Sequence, residues 1–138
     1  METNPIVVAM QYIGLTEQAD YARLMRLFRN ADLIVDPRTT PWCAAFVNAV
    51  ETLCGRPGTK RLNARSFLLY GEEVDIDQAD QGDILIFSRG NDQVHGHVTY
   101  LNKWLSDETV ECLGGNQGDR VCCANYPASR IIGARRCR

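Results

Sequence analysis

Cys43 occupies a position in the sequence where a thiol can become a nucleophile. It follows Thr-Thr-Pro-Trp at positions 39–42, and this pattern predicts a helix with Thr40 as the N-cap and Pro41 at the first helical position. In the first turn, unpaired backbone N–H groups and the helix dipole lower the pKa of a thiol. The same N–H groups can hold an oxyanion. The pattern favours a nucleophile, and packing under Trp42 as a small buried residue is the alternative.

A cysteine nucleophile needs a base, and the chain has two histidines, His95 and His97. His97 is the better candidate because it opens an apolar segment typical of a strand, whereas His95 lies in a polar, glycine-containing loop. A neutral core histidine is the alternative for His97. A third polar group would orient the imidazole, and Asn116 and Asp119 are both candidates. A hairpin would bring Asn116 beside His97, and a plain Gly-Asn turn is the alternative. The two glycines before Asn116 suggest that the backbone there lies close to another part of the protein.

Metal binding is the rival interpretation of the histidines. His95 and His97 are one residue apart on an extended segment, so they would face the same side, and Cys112 could come near them. A structural zinc site needs four ligands, and a catalytic site needs three and a water. The sequence offers neither set clearly, so we predict no metal ion and no other cofactor.

The hydrophobic pattern predicts the elements that must position these residues. Helices are predicted at 5–13 after an Asn4 cap, from Thr16 onward, from Thr40 to Cys54, and at 64–70. Strands are predicted at 83–87, 97–101, 109–113, 120–124 and 131–135. Helices followed by a meander of strands indicate an α+β fold, with helices packed on an antiparallel sheet. Residues 1–138 are expected to form a single domain, with 1–35 as a helical N-terminal extension.

Composition and charge restrict the class of partner. The 138 residues are 45% hydrophobic and 23% charged, with a net charge of −2, which is typical of a globular domain and argues against a nucleic-acid partner. The arginines at 130, 135, 136 and 138 are interpreted as a solvated tail, with weak contact to an anionic surface as the alternative.

The same features give expectations for localisation. No apolar run approaches the about 20 residues that span a bilayer, so membrane insertion is not expected. The N-terminus lacks the basic residues of a secretory signal. We therefore expect synthesis in a reducing cytoplasm, with the six cysteines as thiols.

Five segments occur in an order that resembles one protein family. They are 41–48 (PWCAAFVN), 64–71 (ARSFLLYG), 81–84 (QGDI), 96–98 (GHV) and 114–117 (GGNQ). As a set they resemble the CHAP and NlpC-type cysteine peptidases of bacterial cell walls. The likeness is closest to small single-domain versions found in phages and prophages, and it covers about residues 38–136.

The resemblance implies a papain-like fold, in which a helix that carries the cysteine packs on an antiparallel sheet that carries the histidine. By position, Cys43 matches the nucleophile, His97 the general base and Asn116 the residue that orients the histidine. Many relatives have Glu or Asp at this third position, so Asn116 is a departure. Trp42, Gln117 and Asp119 are expected to contact the substrate.

The function implied is a peptidoglycan hydrolase, either an endopeptidase or an N-acetylmuramoyl-L-alanine amidase. A thiolate–imidazolium pair of Cys43 and His97 would act through a thioester. We expect a monomeric phage endolysin, made in the host cytoplasm and released with the help of a holin to act on periplasmic peptidoglycan during host lysis. Delivery in a virion or by a secretion machine is an alternative. Two other classes stay open: a toxin effector or peptidase of the same fold acting on another amide, and a non-catalytic phage structural protein.

Overall fold

Helices precede strands in the computed structural model, which describes residues 4–91, 93 and 95–137. The α-helices are α1 (Pro5–Met10), α2 (Tyr21–Arg29) and α3 (Cys43–Leu53). Short 3-10 helices span Ala64–Leu69, Ile76–Gln78 and Ala128–Arg130. The strands are β1 (Glu72–Val74), β2 (Ile84–Ser88), β3 (Gly96–Trp104), β4 (Thr109–Gly114), β5 (Cys122–Pro127) and β6 (Ile131–Arg136). The predicted α+β class is confirmed.

The strands form one antiparallel sheet in the order β1-β6-β2-β3-β4-β5. Strands β2 to β5 form the predicted meander. Strand β6 then returns to the other edge of β2 and lies between β2 and β1. The sequence did not predict β1, because its three residues include two exposed glutamates and show little β-propensity.

The two faces of the sheet pack against different parts of the chain. On one face, Ile84, Ile86, Val98 and Tyr100 belong to the same core as the buried side chains of α1, α2 and α3. On the other face, a smaller core forms around Leu85, Phe87, Leu101, Val110 and Cys112, with Ala79 and Trp104 packed against it. Strand β2 is therefore buried on both faces, which explains its continuous apolar run.

Helix α1 begins as predicted and ends early. Asn4 Oδ1 accepts a hydrogen bond from the Ile6 N–H (3.0 Å), and Pro5 is the first helical residue. The helix ends at Met10 rather than near Gly14, and turns connect the two.

The predicted start of the second helix at Thr16 is wrong, because α2 begins at Tyr21. Thr16 forms an isolated bridge with Arg120, next to the loop that precedes β5. Its N–H donates to the Asp20 carboxylate (3.0 Å), and the Asp20 N–H donates to the Thr16 carbonyl (2.9 Å). These bonds hold the segment as a turn, so Asp20 is the residue that precedes the helix.

Helix α3 begins at Cys43, with Trp42 at the N-cap, so the prediction of Thr40 as the cap is wrong. Thr39 and Thr40 instead belong to a separate turn, in which both N–H groups donate to the Asp36 carbonyl (3.1 Å each). The predicted end is confirmed, with Cys54 at the C-cap and Gly55 at φ +82°. Cys43 is still in the first turn.

Two arginines near the C-terminus are structural, so the interpretation as a solvated tail is wrong for Arg135 and Arg136, whereas Arg130 is exposed. Arg136 donates to both carboxylate oxygens of Asp83 at 2.7 Å, which ties β6 to the start of β2. The Arg135 guanidinium donates to the Leu68 carbonyl. Arg138 lies outside the described residues.

No helix in the described part of the chain is long and apolar enough to span a bilayer. All six cysteines lie within it, and none of them forms a disulfide.

Candidate active site

His97 is the second residue of β3, and only 3% of its surface is exposed. Its Nε2 atom lies 3.1 Å from Oε1 of Gln117. The Gln117 amide has a defined orientation, because its Nε2 donates to the carbonyls of Cys112 (3.2 Å) and Cys122 (2.7 Å), and carbonyls cannot donate. The amide oxygen therefore faces His97. Since that oxygen only accepts, the His97 Nε2 atom carries the proton.

The other ring nitrogen of His97, Nδ1, is buried and has no hydrogen-bond partner in the described part of the chain. With the proton on Nε2, Nδ1 holds the lone pair of a neutral imidazole. Most buried polar atoms in proteins are paired, so an unpaired one requires an explanation. A basic nitrogen held in a fixed orientation without a partner is suited to accept a proton from a nucleophile.

The Cys43 thiol lies beside the same short stretch of β3. The backbone N–H groups of Val98, Ala44 and Cys43 itself point to the sulfur and favour its ionised form. Val98 directly follows His97, so both side chains adjoin one backbone segment. The first helical hydrogen bond of α3 runs from the Phe46 N–H to the Trp42 carbonyl (3.0 Å), which leaves the preceding N–H groups unused by the helix. Since Nδ1 has no partner, Cys43 and His97 are not hydrogen-bonded to each other at rest.

Burial opposes the expected thiolate–imidazolium pair. Burial raises the pKa of the Cys43 thiol, and the Val98 N–H and the Arg89 guanidinium only partly offset it. Burial also lowers the pKa of His97 to about 4, against the opposing hydrogen bond with Gln117. Both shifts favour the neutral forms at pH 7. These directions favour a thiol beside a neutral imidazole over the expected thiolate–imidazolium pair.

Gln117, rather than Asn116 or Asp119, is the residue that hydrogen-bonds to His97. Both of those residues adopt left-handed backbone conformations, with φ of +58° and +62°. Neither side chain hydrogen-bonds to His97 among the described residues, and Asp119 is exposed. The next residue after the left-handed turn at Asn116 is Gln117, and its amide oxygen lies within hydrogen-bond distance of the ring. Gln117 was predicted to contact the substrate, and its burial and hydrogen bonds leave it no free amide for that.

Trp42 is also placed differently from the prediction. Its side chain is fully buried, its ring packs near Phe28 with centroids 6.0 Å apart, and its Nε1 donates to the Glu17 carboxylate (3.0 Å). A buried and paired indole cannot contact a substrate. Trp42 instead anchors the start of α3 against the N-terminal helices.

Two glycines make room for this arrangement, as the sequence suggested. A Cβ atom on Gly114 would lie 2.3 Å from Oγ1 of Thr99 and 3.0 Å from Oε1 of Gln117. A Cβ atom on Gly115 would lie 2.7 Å from both Phe46 Cβ and Trp42 Cζ3. The two missing side chains thus allow the chain after β4 to approach β3 on one side and α3 on the other.

Two further members of the site were not predicted. Thr99 Oγ1 donates to the Gln117 amide oxygen at 2.8 Å. The Tyr126 hydroxyl lies 3.3 Å from His97 Nε2, and the two ring centroids are 5.3 Å apart. Thr99 lies two residues from His97 on the same strand, so period-two alternation could have identified it. Tyr126 lies on β5, two strands away, and nothing in the local sequence indicates it.

The rival metal site does not assemble. In the residues described, no group of three or more His, Cys, Asp or Glu side chains could hold a metal ion. His95 is exposed, and its backbone carbonyl accepts a hydrogen bond from Arg65 Nε (2.9 Å).

The sequence matches no protein-family model, and no curated protein matches it at a significant level.

Proposed function

We propose that this chain is a cysteine-dependent hydrolase of amide bonds, with Cys43 as nucleophile and His97 as general base. One observation carries the proposal: Gln117 fixes the protonated nitrogen of a buried histidine and the other nitrogen stays unpaired, while a cysteine at a helix start lies against the backbone N–H of Val98, the residue after that histidine. A histidine that served packing alone would gain about 1–3 kcal/mol by pairing its second nitrogen. An unpaired Nδ1 is explained if it must accept a proton during the reaction.

The proposed reaction proceeds by acyl transfer. The Cys43 thiol gives its proton to Nδ1 of His97 as the sulfur attacks the amide carbonyl, and the N–H groups of Cys43 and Ala44 hold the oxyanion. The protonated His97 then donates its Nδ1 proton to the leaving amine, which leaves a thioester. Next, Nδ1 removes a proton from water, the hydroxide attacks the thioester, and the carboxylic acid departs as the thiol is restored.

The proposed fold family is papain-like, and the architecture supports it in two respects. The cysteine is the first residue of a helix that packs on an antiparallel sheet, and the histidine lies at the start of a strand in that sheet. The orienting residue follows the adjacent strand, β4, as the family arrangement requires. The residue type differs, because Gln117 takes the position for which Asn116 was expected.

The proposed substrate is bacterial peptidoglycan, cut either within the stem peptide or at the muramoyl–L-alanine amide, and the proposed biological role is that of a phage endolysin. This part of the proposal is supported by the resemblance of the segments around Cys43, His97 and Gly114 to cell-wall peptidases. A toxin effector of the same fold acting on another amide would use the same Cys43 and His97 chemistry, and it differs only in substrate.

Purified sacculi provide the test of activity. We expect the wild-type protein to reduce their turbidity under reducing conditions, and mass spectrometry of the released fragments would identify the bond that is cut. Cys43→Ala and His97→Ala should abolish clearing while retaining the circular dichroism of the wild type. Cys123→Ala is the matched control, because Cys123 is an exposed cysteine on β5 and its loss should leave the rate unchanged. Intact sacculi with wild-type protein would refute the wall-hydrolase proposal.

The closed state of the site favours a second candidate, a non-catalytic protein of the same fold. Cys43 is only 7% exposed, and the pKa of its thiol is raised by burial. Alkylation by iodoacetamide separates the two candidates. A catalytic Cys43 should react faster than the exposed Cys123, and His97→Ala should slow it, since His97 supplies the base. A Cys43 that reacts only on unfolding would favour the non-catalytic protein.

A further inference from the structure

A second site candidate is a groove of about 1060 Å³ between two chain segments at the β1 end of the sheet. One wall runs from Glu73 to Asp77 and the other from Trp104 to Asp107, and residues of β6 line the space between them. Cys43, His97 and Gln117 do not line this groove. Its volume exceeds the range of about 300–1,000 Å³ of small-molecule pockets, so it can accommodate a chain segment.

The groove exposes apolar side chains. Ile76, Leu105 and Ile132 are 37%, 45% and 38% exposed, and all three line it. Trp104 lies among them with its Nε1 donating to the Ala79 carbonyl (2.9 Å), so its indole has a fixed position. Apolar side chains grouped around one concave surface mark interaction sites more often than isolated surface residues do.

The rim of the groove is acidic. The carboxylates of Glu73, Asp75, Asp77 and Asp107 line it, all four residues are exposed, and none forms an ion pair with another described residue. The single cation among the lining residues, Arg135, donates to the Leu68 carbonyl. The groove therefore carries a local charge of −3, compared with −2 for the whole chain. This charge repels nucleic acid and anionic lipid and attracts a cationic partner.

The groove also contains an open edge of the sheet. Strand β1 pairs with β6 only from Glu72–Arg136 to Val74–Ala134. Ile132 and Gly133 lie beyond the last pair, so β2 neighbours them on one side and no described strand does on the other. Unpaired strand edges accept an added extended segment, which gains main-chain hydrogen bonds.

We propose that this groove binds an extended segment of a second protein in which apolar residues alternate with lysine or arginine. Because side chains alternate along an extended segment, the apolar side chains of the bound segment would contact Ile132 and its apolar neighbours. Its lysine or arginine side chains would then lie at the four carboxylates. This binding is independent of amide hydrolysis, because the groove shares no residue with the Cys43 site.

A model peptide tests the charge and apolar requirements. The probe is a fluorescein-labelled peptide of about nine residues that alternates isoleucine and lysine, and its anisotropy is measured against the full chain. We expect binding that weakens as salt rises. Peptides with glutamate for lysine, or with serine for isoleucine, should not bind. If the serine peptide binds equally well, the attraction is a non-specific charge effect and the proposal fails.

Protein variants localise the binding. Asp77→Asn and Ile132→Ser should each lower the affinity for the isoleucine–lysine peptide by about fivefold or more. Asp32→Asn is the matched control, because Asp32 is an exposed carboxylate outside the groove and should leave affinity unchanged. Cys43→Ala should also bind normally, so a failed hydrolase proposal would not affect this result. Equal affinity in all four variants would overturn the assignment to the groove.

Two further measurements distinguish the mode of binding and the occupant. Two peptides are compared, one N-methylated at the odd-numbered amides and the other at the even-numbered amides. The two should differ in affinity, because only one of these sets of N–H groups pairs with the β6 edge and its methylation removes those hydrogen bonds. Equal affinity of the two methylated peptides would overturn strand addition.

Sedimentation of the chain alone tests whether a second copy of the chain is the occupant. Self-association that Ile132→Ser abolishes, together with no peptide binding, would overturn the proposal of a cationic partner.

Discussion

At the scale of single residues, the proposed chemistry depends on the side-chain amide of Gln117. Two backbone carbonyls hold its nitrogen and Thr99 occupies its oxygen, so the amide cannot rotate without losing three hydrogen bonds. The amide in turn fixes the tautomer of His97. The Tyr126 hydroxyl also keeps its proton, because burial raises its pKa. Among the described residues, the side chains that contact the ring of the proposed base are thus neutral, and none is a carboxylate.

Replacing Gln117 and Asn116 one at a time should show which of these two neighbouring residues orients His97. We expect Gln117→Ala to lower kcat/KM on sacculi by about 10²-fold or more, because the imidazole loses its fixed tautomer. The ¹⁵N shifts of His97 should then change from a single Nε2–H form to a mixture. Asn116→Gly is the control: it preserves the left-handed backbone and should change neither readout. If Asn116→Gly abolishes activity while Gln117→Ala does not, the orienting residue has been misassigned.

The two residues proposed to react were predictable from the sequence, and Gln117, which hydrogen-bonds to His97, was not. A cysteine at a helix start and a histidine at a strand start are local features, so Cys43 and His97 could be identified from their flanking residues. The choice among Asn116, Gln117 and Asp119 depends on which residue follows the left-handed turn, with φ of +58° at Asn116. Several residue types tolerate a left-handed conformation, and a single sequence does not show which residue of the loop adopts it.

At the scale of elements, two contacts position α3 on the sheet. Near its C-terminal end, the fully buried Glu51 accepts hydrogen bonds from Tyr100 (2.7 Å) and Tyr70 (2.9 Å). Near its N-terminal end, Gly115 lies against Phe46 and Trp42 with no space for a side chain. The first contact determines how the helix lies on β3. The second determines how far the thiol stands from the loop that carries Gln117.

A methyl group at Gly115 should therefore disturb both stability and activity. We expect Gly115→Ala to lower the free energy of unfolding in urea by about 1–3 kcal/mol, because its Cβ would approach Phe46 and Trp42 to 2.7 Å. Gly90→Ala provides the comparison, since Gly90 has φ +71° and no atom within 4 Å of its Cβ position. Its cost should be only the backbone strain of about 1–2 kcal/mol, with no loss of activity. Normal activity in Gly115→Ala would contradict the proposed close approach.

Elements with strong local signals matched the prediction, and those defined by tertiary contacts did not. The apolar runs of β2 and β4 and the Gly55 end of α3 were placed within a residue. The start of α2 was missed because a bridge to Arg120, distant in sequence, holds Thr16 in a turn. Strand β1 was missed because only its pairing with β6 makes Glu72–Val74 a strand.

At the scale of the whole molecule, His97 should make the stability depend on pH. Its pKa is about 4 in the folded protein and 6.5 without burial, so between these values the unfolded chain binds more protons. The free energy of unfolding should thus fall by about 3 kcal/mol as pH drops from 6.5 to 4. Urea unfolding across this range, compared with His97→Gln, measures the effect. An equally steep pH dependence in His97→Gln would assign it to other groups.

The position of β6 between β1 and β2 also constrains how the chain can fold. Strands β2 to β5 are consecutive and can pair as they follow one another, but β1 has no partner until β6 has joined β2. A strand formed near the middle of the chain therefore waits for one that comes 57 residues after its own end, Val74 to Ile131. Such non-local pairing is characteristic of domains that fold in milliseconds to seconds rather than microseconds. During synthesis, the β2 edge would remain uncovered until β6 has left the ribosome.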